Sequence, residues 1–193
     1  MQSLKAISEN LEGDIEDNIE SDSEMEYPLL DNWVLWFHKV DDDKWDISSY
    51  QELYTLTDLE DFHAMFNTFF NHDEKMTANA AMFFLMREGI KPMWEDPKNR
   101  KGGMWCYKVP KKEDNKLKSD VVWKKLTAAC IGGVLTKNRD DMKYINGVSI
   151  SPKLDNCIFK IWNNDTSKNN PKLIIEDIDG IDSDKTIYKK FVK

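Results

Sequence analysis

Trp33-Val34-Leu35-Trp36-Phe37-His38-Lys39-Val40 is an unbroken aromatic and β-branched run, and it reads as a strand buried on at least one face. Asp41-Asp42-Asp43-Lys44 closes it as a turn. Further on, Thr57-Asp58-Leu59-Glu60 has the spacing of a capping box, the Thr57 hydroxyl and the Glu60 carboxylate reaching across the first turn of a helix. Leu59, Phe62, Phe66 and Phe69–Phe70 then recur at helical spacing, which predicts an amphipathic helix over 58–70. A second helix is predicted over 120–131, opened by Ser119-Asp120 and stopped by Gly132-Gly133. Residues 104–109 alternate as a strand does, and 144–150 with 157–162 form two β-prone runs joined by a Pro/Asp/Asn turn, a hairpin. Leu173–Ile175 and Ile187–Val192 supply two more strand candidates, while the apolar run Ala80–Met86 suits helix and strand alike. Short strands with hairpin spacing and separated helices make an α+β domain with a largely antiparallel sheet.

The 193 residues suffice for one domain, and 40% hydrophobic with 32% charged residues supports a buried core. Charge is unevenly placed. Residues 1–26 carry nine acids and one base, which accounts for the whole net charge of −8, whereas 27–193 holds acids and bases in equal number. The chain therefore divides into an acidic tail over 1–26, expected to be disordered, and a neutral domain over 27–193. Acidity confined to a tail does not exclude a nucleic-acid partner for the domain. No apolar run spans a bilayer and no signal peptide is visible, so a soluble, cytoplasmic protein without a membrane partner is expected. Cys106, Cys130 and Cys157 are odd in number and form no CxxC pair, which argues against a disulfide framework or a zinc site; no metal or cofactor is expected. His38, His63 and His72 have no nucleophile or carboxylate at a recognised spacing, and no Gly-x-Ser-x-Gly, P-loop or dinucleotide fingerprint occurs. The chain reads as a binding protein, not an enzyme.

The stretch Pro92-Met93-Trp94-Glu95-Asp96-Pro97 lies between two strand candidates, so Trp94 sits in a polar loop. Trp45 is similarly placed, in Asp43-Lys44-Trp45-Asp46. A loop tryptophan can simply fold back onto the core. Two of them with adjacent carboxylates also suit a planar, cationic heterocycle, the indoles stacking on its faces and an acid accepting from its donor edge.

These residues resemble the eukaryotic translation initiation factor 4E family, which binds the mRNA 5′ cap. The resemblance covers about 27–193 and rests on Tyr27-Pro28-Leu29 with Trp33–Phe37, Glu60-Asp61-Phe62, Gly89-Ile90-Lys91-Pro92-Met93-Trp94-Glu95, Gly102-Gly103-Met104-Trp105 and Ile161-Trp162. It implies a curved antiparallel sheet shaped like a cupped hand, helices on its convex face, and a monomer. It further implies that 7-methylguanine lies between Trp45 and Trp94, that Glu95 accepts from the guanine edge, and that Trp162 stands near the methyl group. Trp33, Trp36, Trp105 and Trp123 match structural or dorsal positions. Two departures stand out. Met104 and Ile158 occupy places where the family carries phosphate-binding cations, leaving Lys153 and Lys160 for that task. On the convex face, which in the family receives a Tyr-x-x-x-x-Leu-hydrophobic helix of scaffold factor 4G, Pro28, Leu59, Trp123 and Ile131 are compatible. There, however, His63 replaces a tryptophan, Lys124 and Ala128 replace leucines, and Lys125 replaces an acid. The resemblance implies recruitment of capped mRNA for translation initiation. The alternative is a repressor or decoy that sequesters capped mRNA without engaging the scaffold, or that serves a divergent partner.

Overall fold

A computed structural model of the chain describes residues 27–70, 81–113, 116–178 and 180–191. The acidic segment 1–26, His72 and Ala80 lie outside these. In chain order the elements are β1 (Pro28–His38), β2 (Tyr50–Asp58), α1 (Leu59–Phe69), β3 (Met82–Arg87), β4 (Gly103–Pro110), β5 (Lys112–Glu113), β6 (Lys116–Leu117), α2 (Lys118–Ile131), β7 (Ile145–Pro152), β8 (Asn156–Asn163) and β9 (Ile187–Lys190). Seven strands form one open sheet in the order β2-β1-β3-β7-β8-β4-β9, every neighbouring pair antiparallel, while β5 and β6 make a small separate hairpin. This is the α+β architecture expected.

The two faces of the sheet differ because side chains alternate along each strand. Strand β4 sends Trp105, Tyr107 and Val109 to one side, and β8 sends Cys157, Phe159 and Ile161 to the same side. There they join Trp33, Leu35, Leu85, Val148 and Ile150 beneath Phe62 and Met65 of α1 and Trp123 and Leu126 of α2. The opposite side holds a smaller cluster, including Val34, Trp36, Met82, Phe84 and Trp162, to which no helix among the described residues contributes a buried side chain. Arg87 links the layers at one end. Its guanidinium lies 4.8 Å from the Trp33 ring centroid, pairs with Asp31, and donates to Ile145 O at 2.7 Å and Met142 O at 2.9 Å.

Several sequence-based boundaries move. Strand β1 starts at Pro28, opposite Asp58, and ends at His38, so Lys39 and Val40 fall beyond it. Strand β2 has no counterpart in the sequence reading; it is an edge strand with a register break, so its apolar alternation is weak. The apolar run is strand β3. Helix α2 begins at Lys118 rather than 120, and its end is as expected: Gly133 takes φ 67° and Val134 N donates to Ala129 O at 3.0 Å. Leu173–Ile175 is not a strand of the sheet. Pro171–Leu173 forms a 3-10 turn, and Ile174 makes a single bridge to Thr136, because these residues bond to the loop after α2 instead.

The capping box is displaced by one residue. Asp58 is the N-cap of α1 and accepts from Asp61 N at 2.8 Å, while Asp61 reaches back to Asp58 N at 3.4 Å. Thr57 instead donates both its amide (2.7 Å) and its hydroxyl (2.9 Å) to Asp61, which also accepts from Tyr54 Oη at 3.0 Å. Burial opposes ionisation of Asp61, but the hydrogen bonds from Thr57, Tyr54 and Asp58 outweigh it and hold its pKa below the ordinary 3.8. A carboxylate whose folded pKa is depressed stabilises the fold above its unfolded pKa, and that contribution disappears as pH falls through the folded value. Asp61→Ala should therefore cost about 1 kcal/mol at neutral pH in urea denaturation, with the deficit shrinking in acid. An unchanged midpoint at neutral pH would show that the cap carries no weight.

Candidate functional site

A cavity of about 400 Å³ opens on the helix-free face. The loop after β1 brings Trp45 to it, the loop between β3 and β4 brings Trp94 and Glu95, and the strands contribute Tyr50, Phe84, Met104, Lys160, Trp162 and Lys189. Trp45 and Trp94 are 53% and 48% exposed, whereas the other five tryptophans are at most 8% exposed, so only these two present open indole surface.

Both loops are held by buried polar side chains. Trp45 stacks on His38, with ring centroids 4.5 Å apart and planes 7° from parallel. His38 is itself buried, its Nδ1 2.7 Å from Lys39 O and its Nε2 2.8 Å from Lys44 O and 3.2 Å from Ser49 Oγ. The imidazole thus backs one indole face and leaves the other to the cavity. Asp46, beside Trp45, has its Oδ1 engaged within its own loop. It caps the 3-10 turn Ile47–Ser49, and hydrogen bonds from the Ser48 hydroxyl and then the Ser48 amide hold its pKa below 3.8.

The Trp94 loop is folded by Asp96, which accepts from Lys91 N at 3.0 Å and Lys98 N at 2.8 Å. Fully buried Asn99 donates to Lys91 O at 2.9 Å and Met93 O at 2.8 Å. Asn146 of β7 then donates to Asn99 Oδ1 at 2.8 Å and Lys98 O at 2.9 Å, tying the loop to the sheet. Glu95 remains exposed at the cavity. Burial, and secondarily the Glu95 carboxylate, push the Tyr50 phenol up to about 12.

The far wall is Trp162, whose Nε1 donates to Ser149 Oγ at 2.9 Å and whose ring packs 4.9 Å from Phe191. Lys160 reaches Ser151 Oγ at 3.2 Å and has no ion pair among the described residues. Burial lowers its pKa, and Lys153 and Lys189 add to this against an opposing pull from Cys106. Among the described residues Glu95 is the only acid lining the cavity, and Lys160, Lys189 and Lys190 line it as well. Such a site suits a ligand with a flat cationic end and an anionic tail.

Trp45, Trp94, Glu95, Trp162 and Lys160 thus come together, while Lys153 lines an adjoining cavity. Sequence reasoning missed His38, Tyr50, Asn99, Lys189, Lys190 and Phe191. The alternation within 187–191 was a usable signal for one shared face, but nothing local announces that β9 pairs with β4. On the helical face Pro28, Leu59, His63, Lys124 and Lys125 are exposed and Ala128 is partly buried. Trp123 and Ile131 are buried, because they belong to the stripe of α2 that packs toward the sheet, so they support that surface from below. No group of three or more His, Cys, Asp or Glu side chains suited to a metal occurs among the described residues.

Asn99→Ala would remove the second donor from Lys91 O and Met93 O and leave one Asn146 amide hydrogen unpaired in a buried site. A loss of about 2 kcal/mol is expected, with a lower Tm and altered Trp94 emission. A melting temperature equal to that of the parent would mean the loop is held by other contacts.

Residues 28–183 match the family profile described as Eukaryotic initiation factor 4E. Eukaryotic translation initiation factor 4E of Xenopus laevis is 29% identical over 124 residues, covering 64% of this chain and 57% of that protein. The chain spans 57% and 63% of the length of the Xenopus and Danio rerio relatives, and about half the length of several others it matches. Ascaris suum eIF4E-3, crystallised with the m2,2,7G cap and with the m7G cap, superposes with a TM-score of 0.64, is 31% and 30% identical in the two structures, and covers 75% of this chain and 77% of its own. Caenorhabditis elegans eIF4E-3, solved with the 4E-binding protein Mextli, superposes at 0.63 with 26% identity over 75% of this chain and 79% of its own. With the profile covering most of its length and the same fold in these relatives, this chain belongs to the eukaryotic initiation factor 4E family.

Proposed function

We propose that this protein binds the 7-methylguanosine 5′ cap of mRNA and recruits capped mRNA for translation initiation in the cytoplasm, as a binding protein without catalytic chemistry. The observation that carries the reading is one cavity holding two open indoles, Trp45 and Trp94, beside a free carboxylate, Glu95. N7-methylation makes guanine cationic, so each stacked indole gains a cation–π term of about 2 kcal/mol when desolvated. Glu95 accepts from N1–H and the exocyclic amine, a donor pair adenine lacks. Trp162 walls the methyl side, and the lysines take the phosphates. The cap complexes of the Ascaris relative support the same ligand class.

Trp45→Ala or Trp94→Ala should weaken 7-methyl-GTP binding by roughly tenfold or more, since stacking of a base on an aromatic ring contributes about 1–3 kcal/mol. Glu95→Ala should cost about 2–4 kcal/mol, because the buried guanine donors lose a charged acceptor. Calorimetry with 7-methyl-GTP and GTP checks both; parent-like affinity in the two tryptophan variants would refute the sandwich.

A repressor or decoy role is favoured by the helical face, where exposed His63, Lys124 and Lys125 stand in place of an aromatic, a leucine and an acid. Interface energy concentrates in large buried anchors, so imidazole is a poor substitute for indole. The Lys124 ammonium also lies 5.6 Å over the Phe66 ring, covering apolar surface a partner helix would use. A His63→Trp/Lys124→Leu/Ala128→Leu variant should bind a Tyr-x-x-x-x-Leu-hydrophobic peptide about 2 kcal/mol more tightly than the parent. Tight binding of that peptide by the unmodified chain would exclude the decoy reading.

A further inference from the structure

On the helical face two rows of side chains run side by side. Leu59, His63 and Phe66 follow one another along α1 at helical spacing, and Val121, Lys124 and Ala128 do so along α2. Phe70 and Trp123 bring the helices together, their ring centroids 6.3 Å apart, and the Lys124 ammonium crosses to the Phe66 ring at 5.6 Å. Leu59 and Val121 are exposed, so these rows leave apolar surface in water. Exposed Leu30 extends that surface to the end of α2, where a Cβ on Gly133 would lie 3.5 Å from Leu30 Cδ1. Among the described residues neither Lys124 nor Lys125 forms an ion pair. The face is thus part apolar and part cationic.

The chain itself carries a segment of complementary chemistry. Tyr27, the first described residue, is anchored at this face, because Leu59 N donates to Tyr27 O at 3.0 Å. Ahead of it, residues 1–26 hold nine acids and one base. Their aliphatic residues are regularly placed. Leu4, Ile7, Leu11, Ile15 and Ile19 are three, four, four and four apart, so on a helix they fall within one sector of about 120°. Glu12 and Asp14 flank that sector on its two sides. As a helix, residues 4–19 would measure about 24 Å, against about 21 Å for α2. Residues 20–26 span about 23 Å when extended, enough for the segment to turn back over the face where it is anchored. Acidic composition opposes folding of such a segment alone, whereas a surface with apolar and cationic parts supplies what it lacks.

We propose that residues 4–19 dock as an amphipathic helix across α1 and α2 of their own chain and so autoinhibit the partner surface. Ile7, Leu11 and Ile15 cover Leu59, Phe66 and Val121, while Glu12 and Asp14 take Lys124 and Lys125. A carboxylate is a stronger partner for the Lys124 ammonium than the Phe66 ring, and drawing the ammonium away uncovers that ring for the aliphatic stripe. Any partner helix must then displace a tethered segment whose effective concentration is high. The docking is independent of which ligand the cavity takes and goes beyond the function proposed above.

The test is NMR of the full chain beside a Leu11→Ser/Ile15→Ser variant and a Lys124→Glu/Lys125→Glu variant. Both lysines are exposed, so their replacement spares the core. In the parent the Cα chemical shifts of residues 4–19 should be helical, and in both variants they should return to coil values. The amide signals of His63 and Phe66 should move with them. Carbodiimide treatment of the parent should join Glu12 or Asp14 to Lys124 or Lys125 within one chain. The Leu11→Ser/Ile15→Ser variant should bind a Tyr-x-x-x-x-Leu-hydrophobic peptide roughly threefold or more tightly than the parent, because no tethered competitor remains. Coil shifts for 4–19 in the parent, or helical shifts that survive both variants, would overturn the docking. Cross-links found only between two chains would overturn it in favour of a second copy as the occupant. Equal peptide affinity in parent and variant would refute the autoinhibition.

Discussion

Because consecutive residues of a strand point to opposite faces, burying Trp105, Tyr107 and Val109 beneath the helices places Met104, Cys106 and Lys108 on the other side. The same coupling in β8 sets Ile158, Lys160 and Trp162 opposite Cys157, Phe159 and Ile161. A slip of one residue would drive the Lys160 ammonium under α2 and expose Phe159 and Ile161, so the core strongly opposes it. The site's composition is therefore tied to the core's: whatever the hydrophobic face requires, the binding face inherits in register. The cavity and the main core beneath the helices share strands but not side chains, whereas Phe84 and Trp162 belong both to the cavity wall and to the smaller cluster.

The loops follow a different logic. Trp45 and Trp94 leave half of their surface in water, an arrangement that burial alone would not favour. Each is held instead by a buried polar group with several backbone partners, His38 under Trp45 and Asn99 within the Trp94 loop. Such groups are costly if left unpaired, so their hydrogen bonds enforce one loop conformation. The outcome is one fixed placement of the two indoles, which lowers the ordering cost of binding there.

Across the sheet, the helical face combines a conventional scaffold with unconventional chemistry. Phe62, Met65 and Trp123 secure the helices to the core. His63, Lys124 and Lys125 are among its exposed positions. Substituting surface residues there costs the domain little and, on the proposed reading, would change which partner helix it seats. The proposed nucleotide site and the proposed partner surface are thus physically separable, with the core of the sheet between them.

Much of this was legible in the linear sequence. The runs 33–38 and 157–162 announce strands through aromatic and β-branched composition, α1 and α2 through spacing and stops, and Trp94-Glu95 stands out as an indole and an acid in a polar loop. Local signals of this kind act within a turn or a strand, so they place elements but not neighbours. They misjudged the capping box by one residue, because Thr57 and Asp58 are equally good caps by composition and only the β2 geometry assigns Asp58 the role. They passed over β2, whose edge position leaves few buried positions to mark it. They gave no hint that His38 underlies Trp45, that Asn99 and Asn146 join across 47 residues, or that β9 returns to β4 and brings Lys189 beside Met104. Residue types and their periodicity decided which side chains could form a core and which a binding face. Long-range strand pairing decided which of them meet, because hydrogen-bond register between distant segments is set by the packing of the whole sheet and not by any one of its strands.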